Sequence, residues 1–314
     1  MKKTISLLIP TYNEENEIST LYNALSRLTE SEMAHTYDFE ILFVNDGSTD
    51  KTLEKIIGLR ENDSRISYLT LSRNFGKESA MLAGLDYVKG DCVVILDADL
   101  QDPVEVIPEM VKWWEKGYDD VYGCRSTRGR EPWMRKSLTL LFYNFLQSAA
   151  KIDIPPNVGD FRLLDRRCIE ALRKLRETQR YTKGLFGWVG FKKKEVLFDR
   201  HDRLGSKSSY SFRSLVNLAI DGITSFSTSP LRMASFLGFI IAFTAFVYLI
   251  AIFTKTIIWG DDVQGFPALM CVILFLGGIQ LICLGIIGEY VGRIFTESKN
   301  RPVYIAESYN GENL

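Results

Sequence analysis

Asp97, Asp99, Gln101 and Asp102 stand close together in the stretch VVILDADLQDP, and their side chains offer oxygen ligands. Two carboxylates two residues apart can face one hard cation, Mg2+ or Mn2+, once the chain leaves the alternating geometry of a strand. A cation held there would neutralise a pyrophosphate as it leaves. Acids at a strand end also cap following helices, so the D-x-D pair alone leaves metal binding and capping equally open. Asp102, directly before Pro103, reads as such a cap.

Other reactive side chains recur at comparable places. TYNEE follows the apolar run ISLLIP, NDGSTD follows FEILFV, SRNFGK follows ISYLTL, and DADLQD follows CVVIL. A rim carrying Asp46, Asp97 and Asp99 together with Lys77 and Arg125 suits an anionic ligand that arrives with a divalent cation, and a nucleoside diphosphate fits that description.

The elements that must position these groups follow from the pattern of apolar residues. The runs named above, with DVYGC, are apolar at nearly every position and are spaced by helical-period segments over Glu15 to Leu28, Asp50 to Arg60, Gly76 to Val88 and Val104 to Lys116. Strands buried on both faces that alternate with helices predict an α/β fold with a mostly parallel, doubly covered sheet. Ligands of such sheets bind beyond the carboxyl ends of the strands, where the polar clusters lie. The lysines 192 to 194 are expected to begin an edge strand facing water or headgroups.

The 314 residues are 46% hydrophobic, which permits one large core or two smaller units. The net charge is −1, from 38 basic and 39 acidic residues, so no global field draws the chain to nucleic acid. Cys92, Cys124, Cys168, Cys271 and Cys283 show no C-x-x-C spacing and only two histidines are present, which argues against structural zinc and fits reduced thiols in the cytosol. The apolar run after Lys2 and Lys3 stops at Pro10, too short for a signal peptide.

Met233 to Thr254 and Val263 to Gly288 carry no charged side chain. Each exceeds the ~20 residues that cross ~30 Å of hydrocarbon, so two transmembrane helices are expected. The short KTIIWGDDVQGFP between them predicts a tight hairpin with both chain ends on one side. Arg213, Arg232, Arg293, Lys299 and Arg301 flank the hairpin, against one lysine and Asp261 and Asp262 in its loop, so the long N-terminal part and the C-terminal tail are expected in the cytoplasm.

The stretch GCRSTRGREPWMRKSLTLLFYNFL puts Arg125, Arg128, Arg130, Arg135 and Lys136 at or before an amphipathic helix with Leu138, Leu141, Phe142, Phe145 and Leu146 on one face. Such a helix can lie along a bilayer while its basic start reaches a lipid phosphate. Arg125 and Arg135 are the expected phosphate ligands.

The segments IPTYNEE, VNDGSTD, LSRNFGKESAMLAGLDYVKGD, DADLQDP, YGCR, GDFRLLDRR, DGITSFSTSPLR and LFLGGIQLICLGIIGEYVGRIF span nearly the whole chain. Together they resemble glycosyltransferase family 2, in particular polyprenyl-phosphate glycosyltransferases related to dolichol-phosphate mannose synthase and the bacterial GtrB type. The resemblance implies a GT-A, Rossmann-like catalytic domain over 1–211, a juxtamembrane amphipathic helix over 212–230, a transmembrane hairpin over 231–290 (about 232–254 and 266–288) and a cytoplasmic tail over 291–314. It implies a UDP-sugar donor and undecaprenyl phosphate as acceptor, with Mg2+ or Mn2+ held by Asp97, Asp99 and Gln101. Pro10, Tyr12, Glu14, Asn45, Asp46, Lys77 and Asp97 would hold the nucleotide sugar. Relatives with two aspartates at the positions of Asn45 and Asp46 leave open which of the two reads the base. Arg125, Arg135 and Lys207 would take the lipid phosphate. The family's G-x-S-K-Y segment has a different spacing here, where Ser208 and Ser209 precede Tyr210, so that either Lys207 or Arg203 takes the cationic role.

In this reading Asp99 and Asp160 are the catalytic carboxylates, and Asp160 in VGDFRLL orients the acceptor, holds the donor or accepts a residual proton. The acceptor phosphate has its second pKa near ~6 and is largely dianionic, so it needs no strong base. In-line attack on an α-linked donor would give a β-linked lipid hexose, glucose or N-acetylglucosamine, as a donor for cell-envelope glycans. The family further implies a homo-oligomer among membrane lipids, with a tetramer as the form that relatives suggest. A GDP-mannose-dependent synthase and a non-catalytic membrane-anchored binding protein are the alternatives; a processive synthase would carry a Q-x-x-R-W segment, which is absent.

Overall fold

A computed structural model describes residues 2–125, 158–178, 180–199, 228–259 and 266–314. Its contacts form two compact units, Met1–Ala219 with Arg301–Leu314, and Ile220–Asn300.

The first unit is built on strands β1 (Lys3–Thr11), β2 (Tyr37–Asn45), β3 (Ile66–Leu71) and β4 (Cys92–Ile95), with helices α1 (Ile18–Thr29), α2 (Thr52–Asn62) and α3 (Lys77–Tyr87) between them. These four strands pair in parallel in the order β4-β1-β2-β3. Ile5, Leu7, Leu8, Ile9, Ile41, Leu42, Phe43, Val44, Val93, Val94 and Ile95 are fully buried. Their continuous apolar runs are the cause: a strand covered by helices on both faces has no side to give to water. The expected helices over Glu15 to Leu28, Asp50 to Arg60 and Gly76 to Val88 all form, with ends shifted by one to three residues. The fourth begins with a 3-10 turn, Val104–Val106, before α4 (Ile107–Glu115).

Helix α3 packs so closely on β1 that a Cβ on Gly84 would lie 2.1 Å from Leu8 Cδ1. A side chain there would force Leu8 or the helix to shift in a close-packed core.

Beyond β4 the sheet turns mixed. Strand β5 (Asp120–Arg125), strand β6 (Val158–Asp165), helices α5 (Arg166–Arg173) and α6 (Thr182–Trp188), and strand β7 (Lys193–Phe198) follow. Strand β6 inserts antiparallel between β4 and β5, and β7 pairs parallel with β5 at the edge. The lysines 193 and 194 thus do begin an edge strand. Asp165 caps α5, accepting a hydrogen bond from Arg167 N at 2.9 Å.

The chain end completes the opposite edge. Strand β8 (Ala306–Tyr309) lies antiparallel on β3, and β9 (Glu312–Asn313) lies on β8, which makes nine strands among the described residues in the order β7-β5-β6-β4-β1-β2-β3-β8-β9. The turn between β8 and β9 is Asn310-Gly311, with φ 53° and 85°. Two successive left-handed residues are what a two-residue hairpin of right-handed twist demands. Asn310 also exchanges hydrogen bonds with the backbone of Tyr68, both at 2.9 Å. The segment expected as a tail over 291–314 is therefore divided: its start continues a helix, and its end is sheet.

The second unit holds α7 (Ser229–Trp259) and α8 (Phe266–Ser298). Within them Pro230–Tyr248 and Phe275–Ser298 have the length and composition to cross a bilayer, with 6% and 0% of these residues buried. Phe236, Phe239, Phe243, Ile282 and Leu284 are among the exposed apolar side chains. The expected juxtamembrane helix over 212–230 lies almost wholly outside the described residues.

Candidate active site

The ends of β1, β2, β3, β4 and β6 bring the sequence-predicted residues to one edge of the sheet. Two loops are laced together first. Asn13 (φ 55°) donates its N–H to Ser48 Oγ at 3.0 Å and accepts Thr49 N–H on Oδ1 at 2.8 Å. Glu14 N–H reaches Thr52 Oγ1 at 2.8 Å, and Glu15 N–H reaches Asp50 Oδ2 at 3.2 Å. Tyr12 is left 44% exposed beside this lacing, open to a ligand's flat face.

Asn45 and Asp46 are both buried. The Asn45 amide oxygen accepts Ser48 N–H at 3.1 Å. The Asp46 carboxylate accepts the N–H groups of Phe75 and Gly76, at 2.7 and 2.9 Å. Burial raises its pKa above the usual carboxylate range against the pull of these two bonds and Arg73. Asp46 thereby anchors the turn that enters α3, where Gly76 holds φ 93°, a conformation that side chains rarely adopt. In NDGS, Gly47 is needed for space as well: a Cβ there would sit 2.6 Å from the Arg73 carbonyl carbon.

The anchored turn delivers Lys77. Its Nζ lies 2.6 Å from Asp97 Oδ1 and 2.6 Å from Asp160 Oδ2. Burial works against the ammonium, but the two carboxylates outweigh it and raise its pKa. Lys77, expected at the nucleotide sugar, here joins the end of β4 to β6. Burial alone would push Asp160 up, but Lys77, Lys183 and Arg162 hold it below the ordinary carboxylate value. Its Oδ1 is buried with no hydrogen-bond partner.

Asp99 accepts the Gln101 backbone N–H on Oδ1 at 3.2 Å and the Gln101 side-chain amide on Oδ2 at 2.5 Å. Gln101, expected as a metal contact, is buried and supports Asp99 with its amide NH2. Asp102 requires a correction. The 3-10 turn before α4 is capped at Pro103 without a side-chain hydrogen bond, so Asp102 is not its cap. It is 5% exposed, and burial with the charges of Asp97 and Asp99 pushes its pKa up to about 6, against Arg125 and Lys77. The Asp102 carboxylate instead feels the charges of Asp97 and Asp99, as a member of the acidic cluster.

Arg125 closes β5, its Nε buried without a partner and its Nη2 3.5 Å from where a Cβ on Gly159 would stand. Arg128, Arg130, Arg135, Lys136, Arg203, Lys207 and the amphipathic stretch through Leu146 lie outside the described residues. Two supporting residues carried no signal of their own in the sequence. Glu78, whose pKa burial raises, accepts Thr182 N–H at 3.0 Å. Arg162 pairs with Asp120 at 3.0 Å, both below 5% side-chain exposure, and lies 3.6 Å from the Phe186 ring centroid. Asp160 and Arg162 stand two residues apart in β6 and so project from one face of the strand.

Among the described residues no three acidic, histidine or cysteine side chains converge to cage a metal by themselves. The donor set still fits a hard cation that shares its shell with a nucleotide: Asp97 and Asp99 leave one strand end, and the orphaned Asp160 oxygen lies across Lys77 from Asp97. Asp97 and Asp99 are the carboxylates that would hold a divalent cation, and Lys77 and Arg125 the cations that would meet an anion beside it.

Comparison with known proteins identifies the family. Residues 6–173 match the model of Glycosyl transferase family 2, and residues 229–294 match the GtrB C-terminal hairpin. The uncharacterized glycosyltransferase sll0501 of Synechocystis is 45% identical over 98% of this chain and 96% of its own. The bactoprenol glucosyl transferase of Shigella phage SfV is 41% identical over 97% of this chain and 98% of its own. Among solved structures, the mannosyltransferase PcManGT of Pyrobaculum calidifontis, in complex with GDP-Man and Mn2+, is 15% identical over 83% of this chain and 89% of its own, with a TM-score of 0.46. With a parallel-cored α/β sheet of GT-A type, acidic groups at its carboxyl edge and a family match across more than half its length, the chain belongs to glycosyltransferase family 2 and is a glycosyltransferase.

Proposed function

We propose that this enzyme transfers a hexose, glucose or N-acetylglucosamine, from a UDP-sugar to undecaprenyl phosphate at the cytoplasmic membrane face. The observation that carries the proposal is the near-complete overlap with a bactoprenol glucosyl transferase, together with a carboxylate–lysine site at the strand ends and two bilayer-length helices. That Arg301–Leu314 packs in the same compact unit as the N-terminal part supports a hairpin that enters and leaves the bilayer on one side. The basic residues flanking the hairpin support the cytoplasm as that side.

A phosphate oxygen of the lipid attacks the anomeric carbon, the bond from that carbon to the diphosphate breaks, and UDP departs with the electron pair. Attack opposite the leaving group inverts an α-linked donor. Asp97 and Asp99 would hold Mg2+ or Mn2+, whose chemistry there is to neutralise charge gathering on UDP. Tyr12, Glu14 and the Asn45–Asp46 turn border the nucleotide, and Arg125 takes the acceptor phosphate, with Arg135 and Lys207 as its expected partners. Asp160, ionised at neutral pH, orients Lys77 and the reacting groups; the dianionic acceptor asks for no base.

The test is to incubate the purified protein in detergent with undecaprenyl phosphate and radiolabelled UDP-glucose, UDP-N-acetylglucosamine or GDP-mannose, with Mg2+, Mn2+ or chelator. Labelled lipid from a UDP-hexose, lost with chelator, is expected. Product from GDP-mannose alone would transfer the proposal to a mannose synthase, and no lipid product from any donor would end it.

A further inference from the structure

We propose that Lys77 is a built-in counter-ion which holds the place of the divalent cation at Asp97, and that the metal displaces it only when it arrives with the nucleotide. The inference rests on the metal-assisted reading above.

Asp97 follows β4, Asp160 lies in β6, and the two strands are hydrogen-bonded neighbours. Carboxylates brought together in this way repel unless a cation joins them. Lys77 does so with contacts of 2.6 Å to each. An ammonium is suited to the task, being a compact point charge with three donors.

The lysine is delivered by rigid backbone. Asp46 fixes the N–H groups of Phe75 and Gly76, Gly76 takes the left-handed turn, and Lys77 is the first residue of α3. The next residue, Glu78, is tied to Thr182, and α3 is seated on Leu8 at Gly84. Only the side chain is free to leave, and it is 43% exposed.

A divalent cation at Asp97 and Asp99 would face this ammonium across a few ångströms, and like charges that close oppose one another. A free cation must therefore compete with Lys77. A nucleoside diphosphate changes the balance, because its oxygens offer the displaced ammonium a new partner while adding ligands to the metal. The consequence is an order of binding in which cation and nucleotide enter together, with Lys77 released from Asp97 but still on Asp160.

Mn2+ binding to the full-length protein in detergent, followed by electron paramagnetic resonance of the free ion without sugar, tests this. Lys77→Met is expected to bind Mn2+ alone at least about tenfold more tightly than the wild type, equivalent to about 1.4 kcal/mol. Lys77→Arg, which keeps the charge, should stay near the wild type. Adding UDP should strengthen Mn2+ binding more in the wild type than in Lys77→Met. Lys77→Gln carries the same expectation as Lys77→Met, should the latter lose its circular dichroism. Equal or weaker Mn2+ binding in both neutral variants, with the fold intact, overturns the role of Lys77 and leaves the metal reading standing. Failure of the wild type to bind Mn2+ even with UDP overturns both.

Discussion

Replacing Asp102 by asparagine should stabilise the protein at neutral pH, and the gain should disappear on acidification. Asp102 is 5% exposed, and its pKa is pushed from 3.8 up to about 6 by burial and by the neighbouring charges of Asp97 and Asp99. A carboxyl whose pKa is raised on folding binds its proton more tightly in the native state. It therefore favours folding below its unfolded pKa and opposes folding above its folded pKa, where the buried group must be charged. A rise from 3.8 to about 6 corresponds to a penalty of up to about 3 kcal/mol at pH 7.5. The isosteric amide removes that penalty. In a unit of this size each kcal/mol raises Tm by roughly 2–4 °C. Thermal unfolding of wild type and Asp102→Asn in detergent at intervals from pH 7.5 to 4.5 measures the difference. It should be largest at pH 7.5 and shrink steadily as pH falls through about 6 toward the unfolded value. An unchanged or lowered Tm at pH 7.5, or a gain independent of pH, would refute the placement of a charged carboxylate in this cluster.

Asp99→Ala should abolish sugar transfer while the protein still folds and inserts, at a stability cost of about 1–3 kcal/mol because the buried Gln101 amide loses its acceptor; turnover near the wild-type rate would remove Asp99 from the mechanism. Arg162→Met should cost about 3–5 kcal/mol in urea unfolding, since Asp120 then stays buried without its ion-pair partner. Adding Asp120→Leu should recover most of that loss, and failure to recover it would show that packing of Arg162 on Phe186, rather than the ion pair, sets the cost.

The parallel core was legible because it is written locally. ISLLIP, FEILFV and CVVIL are apolar at nearly every position, and only a strand covered on both faces hides such a run. The two apolar helices were legible for a similar reason, since length and absence of charge are properties of one segment. Less was drawn from signals that were present. Asn310-Gly311 between SY and EN is a hairpin turn in sequence, yet its value depends on β3 having a free edge to receive it, which no local pattern reveals. Asp102 before Pro103 carried the marks of a cap, but capping is one of several uses of a carboxylate, and the acidic neighbourhood claimed it instead.

What the sequence by itself determined is the parallel core strands, the family and the identity of the carboxylates at the strand ends, because continuous apolar runs and the polar clusters that follow them are read one segment at a time, whereas β6, β8 and β9 emerged only in the fold. What only the tertiary structure decided is who meets whom. Lys77 and Asp160 are 83 positions apart in the chain and 2.6 Å apart in space. Antiparallel insertion of β6 beside β4, and anchoring of the Gly76 turn by Asp46, bring them together. Charge pairing depends on distance through space, and that distance is set by the packing of the whole sheet rather than by any stretch of its residues.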